Sequence, residues 1–206
     1  MNVWRALLPF WVAIPLALGQ AARTDRPSSV NGPQALVQSL YTQVVVRHPL
    51  GIPEGEDMKI FAPYLSKALL RRFHLADACF EDWNRKHPDP NLKPDFGWFE
   101  SGLFSGDDEQ AEPRTFQIER TESKRDGSFR VYVRLTYGPP PAKPWIWQVA
   151  AVVVQENGHL AIDDVIYLKE GPAGRRLVDS RMSQYLSAGC DGPHWVEFSN
   201  QKSDSR

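Results

Sequence analysis

The chain has 206 residues, 42% of them apolar and 24% charged, with a formal net charge of -1 and a pI near 6.5. That length and apolar content suit one globular domain. The charge balance excludes nucleic acid as a partner, because no stripe of Lys and Arg interleaves with aromatics.

The first residues, MNVWRALLPFWVAIPLALGQAA, carry Arg5, an apolar run from Ala6 to Leu18 and small residues from Gly19 to Ala22. This is the pattern of a secretory signal peptide over residues 1–21, with cleavage after Gly19 or Ala21. The run is shorter than the roughly 20 residues that span a bilayer, and Pro9 and Pro15 interrupt it, so an uncleaved anchor is the lesser alternative. The chain is expected to be exported, to the periplasm or outside the cell. Residues 22–32 read as a flexible leader, residues 33–190 as the domain and residues 191–206 as a polar tail.

Gly32 and Pro33 open a helix in which Ala35, Leu36, Leu40, Tyr41, Val44 and Val45 recur at helical spacing, to end before His48-Pro49. After the turn-rich LGIPEGEDM, a second helical region begins near Ala62-Pro63, with Leu65, Leu69, Leu70, Phe73 and Leu75 as its stripe and a break expected near His74. Residues 88–113 read as irregular, with Pro88, Pro90 and Pro94 and the aromatics Phe96, Trp98, Phe99 and Phe104.

Two hairpins follow. Asp126-Gly127, taken as a two-residue turn, pairs Glu122 with Val131, Arg120 with Val133, Ile118 with Leu135 and Phe116 with Tyr137. Asn157-Gly158 favours a type I′ turn and pairs Gln155 with Leu160, Val153 with Ile162, Ala151 with Asp164, Val149 with Ile166 and Trp147 with Leu168. With a side-chain period of two, that register puts Asp164 on an apolar face and Asp163 on a mixed face beside Lys169. A last helix is expected within residues 172–188. The fold class is therefore α+β: N-terminal helices packed on a curved antiparallel sheet of about four strands.

Cys79 and Cys190 form an even pair in a chain expected to be exported, which reads as a disulfide; two buried thiols are the alternative. The five histidines, at 48, 74, 87, 159 and 194, lack metal spacing, and no phosphate loop or nucleophile motif is present, so neither metal nor cofactor is expected.

The segments LVQSLYTQV, FAPYLSKALLRRF and WQVAAVVVQENGHLAIDDVIY, with IDDVIY at 162–167 the most specific, resemble an exported bacterial domain family of unknown function within the nuclear-transport-factor-2-like superfamily. The resemblance covers roughly residues 34–169. It implies a cone-shaped fold whose helices and sheet enclose a pocket, used in that superfamily by isomerases, dehydratases, cyclases and non-catalytic binding modules. Enzymes resembling ketosteroid isomerase pair a tyrosine of the first helix with a sheet carboxylic acid, and Tyr41 and Asp164 match those places. Asp95 and Glu100 are the candidates for a base.

Asp164, Tyr41, Trp145, Trp147 and Trp98 are thus the candidate pocket residues. Asp164 is either a pocket acid or an acid satisfied by backbone donors. Trp98, Phe99 and Phe104 form a lid over the pocket or plug it. The first expectation is a non-catalytic module of the cell envelope that binds a small molecule or an envelope protein. An isomerase or dehydratase using Asp164 and Tyr41 is the alternative. The outer sheet face, with Tyr132, Tyr167, Gln148 and Val152, is a candidate homodimer surface.

Overall fold

A computed structural model describes residues 32–89, 91–94, 96, 100–108, 112–138, 143–168 and 180–187. Helix α1 (Pro33–Arg47) starts where Pro33 occupies its first turn after Gly32, and it buries Val37, Leu40, Tyr41 and Val44, the i, i+3, i+4, i+7 face of an amphipathic helix. It stops at His48, which adopts the left-handed conformation (φ 47°) ahead of Pro49. Helix α2 (Gly55–Phe61) begins inside the segment read as turn-rich and runs past its end. Helix α3 (Lys67–Lys86) runs unbroken past His74, because Leu69, Phe73 and Ala76 keep one buried stripe throughout. Its N-cap Ser66 accepts a hydrogen bond from the Leu69 N–H at 3.0 Å.

Strands β1 (Ser101–Gly102) and β2 (Asp107–Asp108) pair only with each other. Strands β3 (Thr115–Ser123), β4 (Phe129–Tyr137), β5 (Trp145–Glu156), β6 (His159–Leu168) and β7 (Ser180–Arg181) form one antiparallel sheet in sequential order, leading into helix α4 (Met182–Ser187). Helices preceding an antiparallel sheet are the α+β arrangement expected, with a short fifth strand added.

Both hairpin registers depart from expectation, each for an identifiable reason. The Asn157-Gly158 turn forms as anticipated, with positive φ at both residues, and the pairs Gln155–Leu160 and Val153–Ile162 are present. Beyond them Asp163 is inserted as a bulge, so Asp164 pairs with Val152, Val165 with Ala151, Ile166 with Ala150 and Tyr167 with Val149. One extra residue exchanges the faces of everything after it. Val165 and Tyr167 join the core, whereas Asp164, Ile166 and Leu168 face outward. Tyr167 is therefore not part of the outer face.

In the first hairpin the Lys124 N–H bonds the Ser128 carbonyl at 2.8 Å and the Gly127 N–H bonds the Lys124 carbonyl at 3.1 Å, with Gly127 at φ 80°. This is a three-residue loop closed by a left-handed glycine, not a two-residue turn. The pairs become Thr121–Val131 and Arg120–Tyr132, and a second bulge at Glu119 gives Ile118–Val133 and Phe116–Leu135. Two one-residue shifts restore the original faces, and Phe116 and Ile118 pack on the core as expected.

Both bulged residues are acidic, and both are held by arginine. The Glu119 carboxylate accepts from Gln148 and, at 2.5 Å, from Arg134. Asp163 accepts from the Ser66 hydroxyl at 2.6 Å, and its carbonyl accepts from Arg72 at 3.2 Å. Asp163 thereby ties the sheet to the start of α3; the expected surface pair with Lys169 lies outside the described residues.

On the outer face Tyr132, Ala150 and Ile166 are buried together with Val152 and Leu168 against them. The Arg120 guanidinium lies 3.5 Å from the Tyr132 ring centroid, and Glu122 accepts from the Tyr132 hydroxyl at 3.1 Å and from Lys124 at 2.6 Å. Those contacts, the Lys124 hydrogen bond foremost, push the Glu122 carboxyl down to about 2. Because an unperturbed glutamate titrates at about 4.3, any stabilisation from this cluster is present above that pH and is lost as the pH falls through about 2. A carbon-detected titration of the Glu122 carboxyl should show it ionised at pH 3, and Lys124→Met should raise its midpoint.

Candidate functional site

The space between helices and sheet is taken by the chain itself. The β1–β2 hairpin inserts its tip, Leu103 to Gly106, into the interior, and Leu103 and Phe104 are fully buried. The Phe104 ring stacks on Phe61 with centroids 5.1 Å apart and meets Phe73 edge-on at 6.3 Å.

A loop inside a core carries backbone carbonyls that need partners. Here each of five consecutive carbonyls has one. Ser101 O accepts from the Gly51 N–H at 2.9 Å, and Gly102 O accepts from the N–H groups of Ser105 and Gly106. Leu103 O accepts from the Tyr167 hydroxyl at 2.7 Å, Phe104 O from the Tyr41 hydroxyl at 2.7 Å and Ser105 O from the Trp147 indole N–H at 2.8 Å. Three amphipathic aromatics from α1, β5 and β6 thus hold three successive peptide units. Tyr167 reaches inward only because the Asp163 bulge turned it, so the bulge is a precondition of the site.

Gly106 completes the tip. Its φ of +69° belongs to the left-handed region, and a Cβ there would lie 2.5 Å from Cδ1 of Tyr167. The tyrosine ring packs flat against the glycine while its hydroxyl reaches Leu103.

The candidate pocket residues are distributed as follows. Tyr41 is fully buried and its hydroxyl bonds Phe104 O. Trp147 is partly buried and bonds Ser105 O; Trp145 lies at the rim, 55% exposed, with its ring centroid 6.1 Å from that of Trp147. Trp98 and Asp95 lie outside the described residues, as does Cys190. Cys79 is not a free thiol. Glu100 is on the surface, paired with Lys93 at 2.7 Å.

Asp164 is buried, but on the outer side of the sheet, where it does not meet Tyr41. It accepts from the Ser183 N–H at 3.0 Å, from the Ser183 hydroxyl at 2.7 Å and from Arg181 at 3.5 Å. From β6 it caps the adjoining start of α4, and this accounts for a carboxylate at a buried position. Asp164→Ala should cost about 1–3 kcal/mol in urea unfolding by leaving the Ser183 donors unsatisfied, and Asp164→Asn, which keeps an acceptor, should cost less.

Phe104 is the plug of the lid-or-plug expectation, and the two glycines of SGLFSG are the one sequence sign of the hairpin tip, unread above. A small cleft lies beside that tip. His48, Glu112 and Ser105 line it with Val44, Leu50 and Pro113, and its volume of about 10 Å³ has room for one water. The His48 Nδ1 is 3.8 Å from a Glu112 carboxylate oxygen, beyond hydrogen-bond distance. Comparison with family models, curated proteins and solved structures finds no match to this chain.

Proposed function

We propose that the chain is a non-catalytic, exported binding module of the cell envelope, a plugged variant of the nuclear-transport-factor-2-like cone, and that it recognises a protein rather than transforming a small molecule. The observation that carries this reading is the filled interior: Leu103 and Phe104 occupy the place of a ligand, and the Tyr41, Tyr167 and Trp147 donors are all engaged by the hairpin tip. The isomerase or dehydratase alternative needs Tyr41 and Asp164 on one cavity, and they sit on opposite sides of the sheet with Asp164 occupied as a helix cap.

The outer face of the sheet is closed over its centre by its own side chains, with Tyr132, Ala150 and Ile166 each less than a tenth exposed. Exposed apolar side chains include the adjacent pair Trp145 and Ile146 at the start of β5, each about half exposed, with Val46, Leu50 and Leu92 exposed elsewhere. Large apolar side chains grouped at a rim favour a protein contact there over a homodimer through the sheet centre.

The test is in-cell photo-crosslinking of the full chain with a benzophenone amino acid at Ile146, and at exposed Glu81 on α3 as control. A discrete protein adduct from position 146 alone is expected, and one at twice the chain mass would identify the partner as a second copy. Identical patterns from both positions, or a small molecule retained at one equivalent in native mass spectra, would overturn the reading.

A further inference from the structure

We infer that the interior of this molecule is a receptor for a turn of polypeptide, and that the Ser101–Asp108 hairpin is its built-in occupant, exchangeable for a like turn of a partner protein. The inference rests on the reading that the partner is a protein.

The chemistry of the contact points this way. The three aromatic donors all engage main-chain carbonyls, at 2.7, 2.7 and 2.8 Å, and every polypeptide carries carbonyls at that spacing. Sequence enters at three places only. An aromatic ring is needed between Phe61 and Phe73, an aliphatic side chain at the position of Leu103, and a glycine where a Cβ would strike Tyr167. The recognised unit is therefore a turn of the pattern aliphatic, aromatic, any residue, glycine.

Topology separates the occupant from its receptor. β1 and β2 share two residue pairs with each other and none with the five-stranded sheet, so withdrawing the hairpin breaks no ladder of that sheet. The tip supplies side-chain burial and carbonyls, and an incoming turn of the same pattern supplies the same groups. The exchange is close to balanced, with the hairpin setting the threshold that a partner must exceed.

The experiment uses the full chain and a fluorescent peptide of residues 100–108, ESGLFSGDD. The Phe104→Ala chain, whose own tip lacks the ring, is expected to bind the peptide at least tenfold more tightly than the unsubstituted chain. Adding Trp147→Phe, or placing alanine for phenylalanine in the peptide, is expected to abolish that binding. Native-state hydrogen exchange on the unsubstituted chain provides a measurement that does not depend on the variant folding. The Ser105 and Gly106 amides are expected to exchange through an opening that leaves core amides such as that of Val133 protected. If those amides exchange only with the whole core, the hairpin is a permanent part of it and the inference is overturned. That result beside an adduct at position 146 sinks the inference and leaves the protein-partner reading standing, whereas the absence of any adduct sinks that reading and the inference with it.

Discussion

Phe104→Ala is expected to lower the unfolding free energy by about 3–5 kcal/mol, the range for removing a buried phenylalanine ring. The ring is fully buried, stacked on Phe61 and edge-on to Phe73, and those two side chains belong to separate helices that cannot both collapse into the space. The Tyr41 hydrogen bond goes to the Phe104 carbonyl, which alanine retains, so the loss isolates packing from hydrogen bonding. Equilibrium urea unfolding measures it: the midpoint should fall while the slope stays within error, because surface exposed on unfolding hardly changes.

Gly106→Ala carries the second large effect, about 2–4 kcal/mol. An alanine at φ +69° incurs the left-handed penalty of about 1–2 kcal/mol, and its Cβ, 2.5 Å from the Tyr167 ring, adds the expense of overpacking. Tyr167 cannot simply swing aside, since its hydroxyl is committed to Leu103 O. Gly127→Ala is the matched control. Gly127 has φ +80° and nothing within 4 Å of the added atom, so it should show the backbone penalty alone. The difference between the two variants in thermal or urea unfolding reads the contact with Tyr167. Equal losses would mean that the ring does not press on the hairpin tip.

Much of this arrangement is legible in the residues. Pro33 and the turn at Asn157-Gly158 follow from local chemistry and appear where the pattern puts them, and of the expected α1 face Leu40, Tyr41 and Val44 are buried, joined by Val37 while Ala35, Leu36 and Val45 are only partly covered. The two bulges do not announce themselves. After IDD the residues Val165, Ile166 and Tyr167 are all suited to a core, so hydrophobic alternation fits either parity and cannot reveal that Asp163 is the extra residue. The consequence was decisive, because one inserted residue moved Asp164 out of the interior and Tyr167 into it. Tertiary contacts select that parity: Ser66 and Arg72 hold Asp163, and Ser183 awaits Asp164 on the other side. The hairpin tip was hidden for a related reason. Its two-residue strands are too short for any periodic signal, and its partners, Tyr41, Trp147 and Tyr167, are more than 40 residues away in sequence.

The same contacts explain why buried irregular backbone is tolerated here. Tyrosine and tryptophan bring an apolar body with one polar end, so each adds to the core while satisfying a carbonyl that the core would otherwise strand.

Adding toluene to the folded chain and to its Phe104→Ala variant, and following the melting temperature, shows whether the Phe104 ring is what fills the space between helices and sheet. An apolar space the size of a phenyl ring stays dry and takes up a small aromatic molecule. Toluene is expected to raise the melting temperature of the variant and to leave the unsubstituted chain unchanged. A comparable rise for the unsubstituted chain would mean that its interior is already open and that the Phe104 ring does not fill it.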